Sequence, residues 1–373
     1  MKTLQALGIM SGTSIDGVDF ALCAVSSGGI KLRRLRSSPF PLALRRGLQS
    51  AAAGDASSWD VGQLHHDLGR FYAREAVRAV KGASIDVAGL HGQTIFHQPG
   101  RSPATFQLGE PAYLARALGV PVVNNFRAAD IAAGGQGAPL ATLFHLEVFG
   151  RRRSHVCVQN LGGIGNVTSI DWRGTKPRVL AFDTGPANVL LDLAMRHFSD
   201  GHLSLDRDGR RASRGRANER LLQRWLRHPY FLQPPPKSTG RELFGESFFH
   251  PALRAMTRAK MSENDMLATL SELTAQSISL NFSRHLPAGV SEIVLAGGGA
   301  LNPDLRGRME RAFEKTGALT SIVSCADRGW PPQSIEPAAF ALLAARRLEG
   351  RAGNLPETTG AASAVLCGQL TEF

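Results

Sequence analysis

Asp183 stands in Ala181-Phe-Asp-Thr-Gly-Pro-Ala-Asn188, just past an apolar run and before a proline that suits a first helical turn. A carboxylate at a strand end can take a proton from an attacking hydroxyl or water. The same position equally suits an N-cap for the following helix. Gly8-Ile-Met-Ser-Gly-Thr-Ser-Ile-Asp-Gly-Val-Asp19 is a different kind of site. There the glycines let backbone N–H groups approach an anion, and the hydroxyls of Thr13 and Ser14 add donors. Asp16 and Asp19 are placed to hold Mg²⁺ through water, although Asp16-Gly17 is also an ordinary turn pair. A second such turn, Leu161-Gly-Gly-Ile-Gly-Asn166, lies about half the chain away. The pair points to two similar halves closing on one polyphosphate. Gly297-Gly298-Gly299 follows the apolar Val294-Leu-Ala296 and permits close approach of a flat ligand such as adenine and ribose, or simply a tight strand–helix turn.

Other candidates are polar. His91 and His97 bracket Gly92-Gln93-Thr94, where a metal would want better ligands than Gln93 and Thr94. This stretch reads as a polar loop for substrate contact or scaffolding. Asn124-Asn125-Phe126-Arg127 ends another strand, and Arg127 can pair with a substrate carboxylate or bridge to Asp130. No G-x-x-x-x-G-K-[ST] and no G-x-G-x-x-G opening a helix is present.

The composition bounds the setting of these residues. The chain has 373 residues, 43% hydrophobic and 20% charged, which fits two domains with a large core. The stretch from Met1 to Met10 reads as a buried first strand rather than a secretion signal. Four scattered cysteines without a C-x-x-C argue for a reducing, cytoplasmic location and against structural zinc. No apolar run is long enough to span a membrane. The net charge of +12 raises nucleic acid as a partner, but aromatic content of 7% and arginine runs without interleaved rings read as a solvated surface. The expected partners are small molecules, with no nucleic acid and no membrane.

Two blocks share one grammar. The first runs strand Leu4–Met10, turn, strand Gly17–Ala24, strand Ile30–Leu35, helix Val61–Val80, strand Val87–Leu90, loop 91–94, helix Glu110–Leu118 and strand Val120–Val123. The second runs strands Val156–Gln159, Val167–Ile170 and Val179–Phe182, then a helix after Pro186. A charged insertion, Gly201–Arg220, precedes helix Asp265–Leu286 and strand Glu292–Leu295. A helix after Pro303, strand Leu319–Ser324 and helix Glu336–Leu348 complete it. The class is α/β, mixed sheets flanked by helices. The boundary is placed within Asp130–Pro139, with 132–137 as a hinge, giving domains 1–131 and 132–373 and a C-terminal tail that can pack back on the first.

Taken together, these segments resemble the anhydro-N-acetylmuramic acid kinase family of the actin/Hsp70/hexokinase-like ATPase superfamily. The resemblance adds Gly89-Leu-His-Gly-Gln-Thr94, Phe106-Gln-Leu-Gly-Glu110, Gly134-Gly-Gln-Gly-Ala-Pro-Leu140, Pro235-Pro-Lys-Ser-Thr-Gly-Arg-Glu242 and Asn354-Leu-Pro356 to the motifs above. It implies two actin-like (ribonuclease H-like) domains around a deep interdomain cleft, use of ATP with Mg²⁺, and a homodimer. The implied reaction opens the anhydro ring of 1,6-anhydro-N-acetylmuramic acid with water and phosphorylates O6, in cell-wall recycling. Asp183 is then the base. Nucleotide contacts fall to Gly12, Thr13, Ser14, Ile15, Asp16, Gly17, Val18, Asp19, Gly162, Gly163, Asn166, Gly297, Gly298 and Gly299. Sugar contacts fall to His91, Gln93, Asn125, Arg127 and Glu336. The sequence departs from the family pattern at Gly165, where alanine is expected, and at Pro337 beside Glu336.

Overall fold

Strand-forming apolar runs and amphipathic helices build two mixed sheets, each in its own compact unit. The computed structural model describes residues 3–98, 100, 104–317 and 320–373. Met1 and Lys2, and Leu319 of the expected strand Leu319–Ser324, lie outside the described residues. The first unit is Met1–Val148 with Gln333–Phe373, and the second is Phe149–Pro332. In the first are β1 (Leu4–Ser11), β2 (Gly17–Ser26), β3 (Gly29–Pro39), β4 (Val87–Gln98), β5 (Ala104–Leu108) and β6 (Val122–Asn124). In the second are β7 (His155–Leu161), β8 (Ile164–Asp171), β9 (Arg178–Pro186), β10 (Glu292–Ala296) and β11 (Ser321–Ser324). Strand β12 (Gln369–Thr371) returns to the first sheet.

The repeat anticipated from the sequence lies in the topology. The five strands β6-β4-β1-β2-β3 and β11-β10-β7-β8-β9 run in the same spatial order. In both, the first three strands in sequence form an antiparallel meander, and the next two join it in parallel. Parallel additions need crossovers, which the intervening helices provide.

In the first unit Leu7, Ile9, Ala88 and Leu90 point to one face, where they pack with Leu68, Tyr72 and Ala76 of helix Ser58–Val80. That helix starts at a Ser57–Asp60 capping box. Side chains alternate along a strand, so Gly8 and Gly89 face the other way, toward helix Ile335–Leu348. A Cβ on Gly8 would stand 1.7 Å from the Pro337 carbonyl oxygen, and one on Gly89 2.3 Å from that of Phe340. In the second unit, helix Glu263–His285, capped by Ser262, is buried along most of its length. It contributes Leu267, Leu270 and Leu273 to one apolar cluster and Ala275, Ile278 and Phe282 to another. Among the described residues no helix is long and apolar enough to cross a membrane.

Several local expectations change. His91-Gly-Gln-Thr94 is not a loop: β4 continues to Gln98 because its second half pairs with β5. Helix Leu42–Ala53 buries only Leu48 and Ala51 and has no side-chain N-cap, so its pattern gave little signal. Residues 132–137 do not form a boundary. Asp130 is fully buried; its Oδ2 accepts from the Gly137 amide at 2.8 Å, and its Oδ1 accepts from Asn354 Nδ2 and Thr359 Oγ1 at 2.7 Å each. The segment is thereby tied into the first unit, whose edges fall at Val148 and Gln333.

Gly8→Ala sets a methyl group against main-chain atoms that have no room to move. Urea unfolding is expected to show a loss of about 2 kcal/mol or more.

Candidate functional site

The β1–β2 loop is held rigidly from beneath. Ile15 is buried in the apolar cluster between exposed Ser14 and Asp16, and its φ of +53 is a conformation that β-branched residues avoid. Anchoring of this side chain fixes the loop around it. Gln93, with no exposed surface, donates from Nε2 to the Gly12 carbonyl at 3.1 Å, and Ser11 Oγ hydrogen-bonds Tyr72 Oη at 2.8 Å. A Cβ on Gly12 would meet nothing nearer than Ser14 Oγ at 3.7 Å, so that face of the loop is open. Thr13, Ser14 and Asp16 are exposed around it, and Gly17 and Val18 begin β2.

Asp16 and Asp19 are already oriented. Ser14 Oγ donates to Asp16 Oδ1 at 2.8 Å, and Ser37 Oγ donates to Asp19 Oδ1. Burial raises the Asp19 carboxyl, Ser37 lowers it, and the nearby Asp16 charge raises it again. Two crowded carboxylates with oxygen donors suit a divalent cation kept partly hydrated. Among the described residues no three metal-ligating side chains converge.

Arg127 and His91 form one unit. His91 Nδ1 donates to the Gly92 carbonyl at 2.8 Å, which leaves Nε2 to accept from Arg127 Nη2 at 2.9 Å. Arg127 Nη1 donates to the Gly137 carbonyl at 2.6 Å, and the buried Nε has no partner. Arg127 does not bridge to Asp130. Burial and then the Arg127 charge hold His91 well below the usual imidazole range, so it is neutral. Burial also lowers Arg127 to about 10, against the raising effects of Glu336 and Asp130. Glu336 retains solvent access in the first turn of its helix, yet surrounding protein raises its carboxyl, with Arg127 opposing and Asp19 adding to the shift. Asp19, Arg127 and Glu336 are thus electrostatic neighbours.

Beside them is a cavity of about 520 Å³ lined by His91, Thr105, Gln107, Asn124, Asn125 and Gln369, among others. Asn125 adopts φ +48 and donates to Gln369 at 3.3 Å. Uncharged amides over an apolar floor of Leu90 and Ile131 suit a neutral, hydroxyl-rich ring. Gln93 is not part of this lining; it supports the loop.

In the second unit the two remaining glycine turns come together. Cβ atoms on Gly297 and Gly299 would collide with Asn160 Oδ1 and Leu161, whereas one on Gly298 meets nothing within 4 Å. Gly297 and Gly299 therefore serve packing, and Gly298 faces open space beside the turn at Gly162 and Gly163. The carbonyls of Gly162 and Gly163 accept amides of residues 187–189, which seats the helix Val189–Phe198. Register aligns Asn160, Asn166 and Asp183 across β7, β8 and β9, one row on one face.

Asp183 does not cap the helix; Asn188 occupies that position. Instead Asp183 Oδ2 accepts the Thr239 amide at 2.9 Å, its own amide donates to the Lys237 carbonyl at 3.2 Å, and its carbonyl accepts the Tyr230 hydroxyl at 2.7 Å. Burial raises its carboxyl to about 6, the Thr239 amide opposes this, and the Glu242 charge adds to it. Sequence reasoning singled out none of Tyr230, Lys237 and Thr239, although the Pro235–Glu242 motif contained two of them.

A family model described as anhydro-N-acetylmuramic acid kinase matches residues 4–372. A protein of that name from Acaryochloris marina is 38% identical over 380 residues, 98% of this chain and 99% of its own. One from Picosynechococcus sp. is 39% identical over 381 residues, again 98% and 99%. Among solved structures, the activator of the 2-hydroxyisocaproyl-CoA dehydratase from Clostridium difficile with bound ADPNP aligns over 91% of this chain and 94% of its own, at 11% identity and a TM-score of 0.44.

Burial of neutral histidines makes stability depend on pH. Burial lowers His145 to about 4 and His91 likewise well below 6.5. Their contribution is complete above pH 6.5 and declines as pH falls toward the folded values, because the unfolded chain binds the protons first. Denaturant titrations from neutral pH down to about pH 5 are expected to lose up to ~1.4 kcal/mol per pH unit for each such histidine.

Proposed function

Because the chain belongs to the anhydro-N-acetylmuramic acid kinase family, we propose that it opens the 1,6-anhydro ring of anhydro-N-acetylmuramic acid and phosphorylates O6, producing N-acetylmuramic acid 6-phosphate and ADP. The observation that carries the chemistry is Asp183, a carboxylate held at an irregularity within edge strand β9, with its carboxyl raised to about 6. At neutral pH it is ionised and yet basic enough to accept a proton. The anhydro bridge leaves no free hydroxyl on O6. Asp183 therefore takes a proton from water as that water attacks C1, the C1–O6 bond breaks, and O6 accepts the γ-phosphoryl group of ATP.

Phosphoryl transfer requires positioning and charge stabilisation more than covalent help. We assign phosphate contacts to Gly12, Thr13 and Ser14 of the β1–β2 loop; the second unit, taken by itself, offers Gly162, Gly163, Asn166 and Gly298 for nucleotide contact. The anchoring of Ile15 and the Gln93–Gly12 hydrogen bond support a preformed loop. Asp16 and Asp19 are the residues that would hold Mg²⁺, which would supply charge neutralisation on the phosphates when bound. Gly297 and Gly299 shape the turn from behind.

Sugar recognition is assigned to Arg127, Glu336, Asn125 and the cavity beside them. The buried, unpartnered Nε of half-buried Arg127 is a donor awaiting an acceptor, and the lactyl carboxylate is a suitable one. His91 lines that cavity and also orients Arg127. Action in cell-wall recycling, in the cytoplasm and as a homodimer, belongs to this same reading.

Asp183→Asn is expected to lower kcat by roughly 100- to 10,000-fold while nucleotide affinity is retained. In the unaltered enzyme kcat/KM is expected to fall on the acid side with a midpoint near 6, as Asp183 protonates. Turnover in isotopically labelled water should place solvent oxygen at C1; turnover without it would overturn this reading. Arg127→Leu is expected to raise KM for the anhydro sugar about tenfold or more, with KM for ATP nearly unchanged.

A further inference from the structure

Strand β9 is the edge of its sheet and is irregular where Asp183 sits. Asn166 pairs with Asp183 and Gly165 with Gly185, so Thr184 is an extra residue, a bulge. A bulge turns side chains away from regular alternation and leaves backbone groups outside the ladder. Here several of those groups are taken up by side chains and backbone outside the ladder. On the interior side Thr184 Oγ1 accepts from Gln159 Nε2 at 3.1 Å, and the Thr184 carbonyl accepts from Asn281 Nδ2 at 2.9 Å. On the outer side Asp183 is held at three points by one segment, through the Tyr230 hydroxyl, the Lys237 carbonyl and the Thr239 amide.

Lys237 closes this segment on itself. Its side chain is buried, and Nζ donates to the Tyr230 carbonyl at 3.3 Å and lies 3.5 Å from His285 Nε2. The ammonium also sits 4.9 Å from the Tyr230 ring centre and 5.6 Å from that of Phe182, the residue just before Asp183. Carbonyl, imidazole and two aromatic faces surround this cation. The geometry links Lys237 to Tyr230, Tyr230 to the Asp183 carbonyl, and Lys237 through its own backbone to the Asp183 amide.

We propose that Tyr230 and Lys237 are positioning residues for the reaction, holding the bulged strand and the 237–239 segment so that the Thr239 amide stays on the Asp183 carboxylate. The proposal rests on the reading of Asp183 as the base. Neither side chain touches the reacting atoms. A proton acceptor must be held within a fraction of an ångström of the attacking water, and a bulge at a sheet edge has no ladder to impose that. The consequence is chemical as well as geometric. The Thr239 hydrogen bond lowers the Asp183 carboxyl while burial and Glu242 raise it, so loosening that bond moves the carboxyl further up. The titratable and charged groups near this arrangement are Glu242 and Tyr230 around Asp183, and Arg284 and His285 around Lys237.

The test compares Tyr230→Phe and Lys237→Met with Asp183→Asn in the full-length enzyme, measuring kcat, KM for ATP, thermal midpoint and the pH profile of kcat/KM. Tyr230→Phe removes one hydroxyl and keeps the ring beneath the ammonium. The expected result for both positioning variants is a kcat reduced roughly tenfold to a hundredfold, KM for ATP unchanged, and an acid limb moved to higher pH. A lower thermal midpoint with wild-type kcat and an unmoved acid limb would make both residues structural staples and overturn the proposal. Should Lys237→Met fail to fold, the acid limb of Tyr230→Phe decides alone. An active Asp183→Asn would instead remove the base assignment itself, a failure separate from inactive Asp183→Asn beside unaffected Tyr230→Phe.

Discussion

Main-chain contact between helix Ile335–Leu348 and strands β1 and β4 governs what the first unit can hold. At Gly8 and Gly89 the helix carbonyls occupy the space where side chains would project. Helix and sheet rarely approach so closely, and only glycine on the strands permits it. The approach brings a segment from the far end of the chain onto the first sheet. Glu336 in the first turn of that helix comes near Arg127 and Asp19 in charge terms. Pro337 follows from the same constraint: its missing amide falls within the first turn, where helical amides have no intrahelical partner.

The second unit reaches an accurate geometry by a different route. Its catalytic candidate lies on an edge strand at a bulge, where regular pairing stops specifying direction. Position is restored by hydrogen bonds from outside the ladder. Gln159 and Asn281 hold Thr184 from the interior, and the 230–239 segment holds Asp183 from the edge. Gly165 belongs to this arrangement. A Cβ there would lie 2.8 Å from Thr184 Oγ1 and 3.2 Å from Gln159 Nε2, so in this chain the missing methyl leaves room for that hydrogen bond.

Much of the fold was readable because apolar periodicity is a local property. Helix Ser58–Val80 carries a strong apolar stripe, and both it and helix Glu263–His285 begin at a serine cap. Three of the misreadings share one cause. His91–Thr94 became strand because β5 pairs with it, and β12 is three residues whose only reason to be extended is β6. Residues 132–137 have a flexible composition, yet buried Asp130 binds Gly137 on one side and Asn354 and Thr359 on the other. Pairing partners far along the chain leave no trace in a local pattern.

The sequence alone singled out the candidates for chemistry: the Asp16 and Asp19 pair among glycines and hydroxyls, the carboxylate of Asp183, and the cation of Arg127. It did so because turn glycines and strand-end acids are local requirements that composition and spacing display. Only the tertiary structure decided which neighbours each residue has. Gln93 and His91, polar residues expected at the sugar, hydrogen-bond Gly12 and Arg127, while Tyr230, Lys237 and Thr239 surround Asp183. The reason is physical. A buried polar atom must find a partner, and which partner it finds depends on the folded neighbours that residues far apart in the chain bring to it.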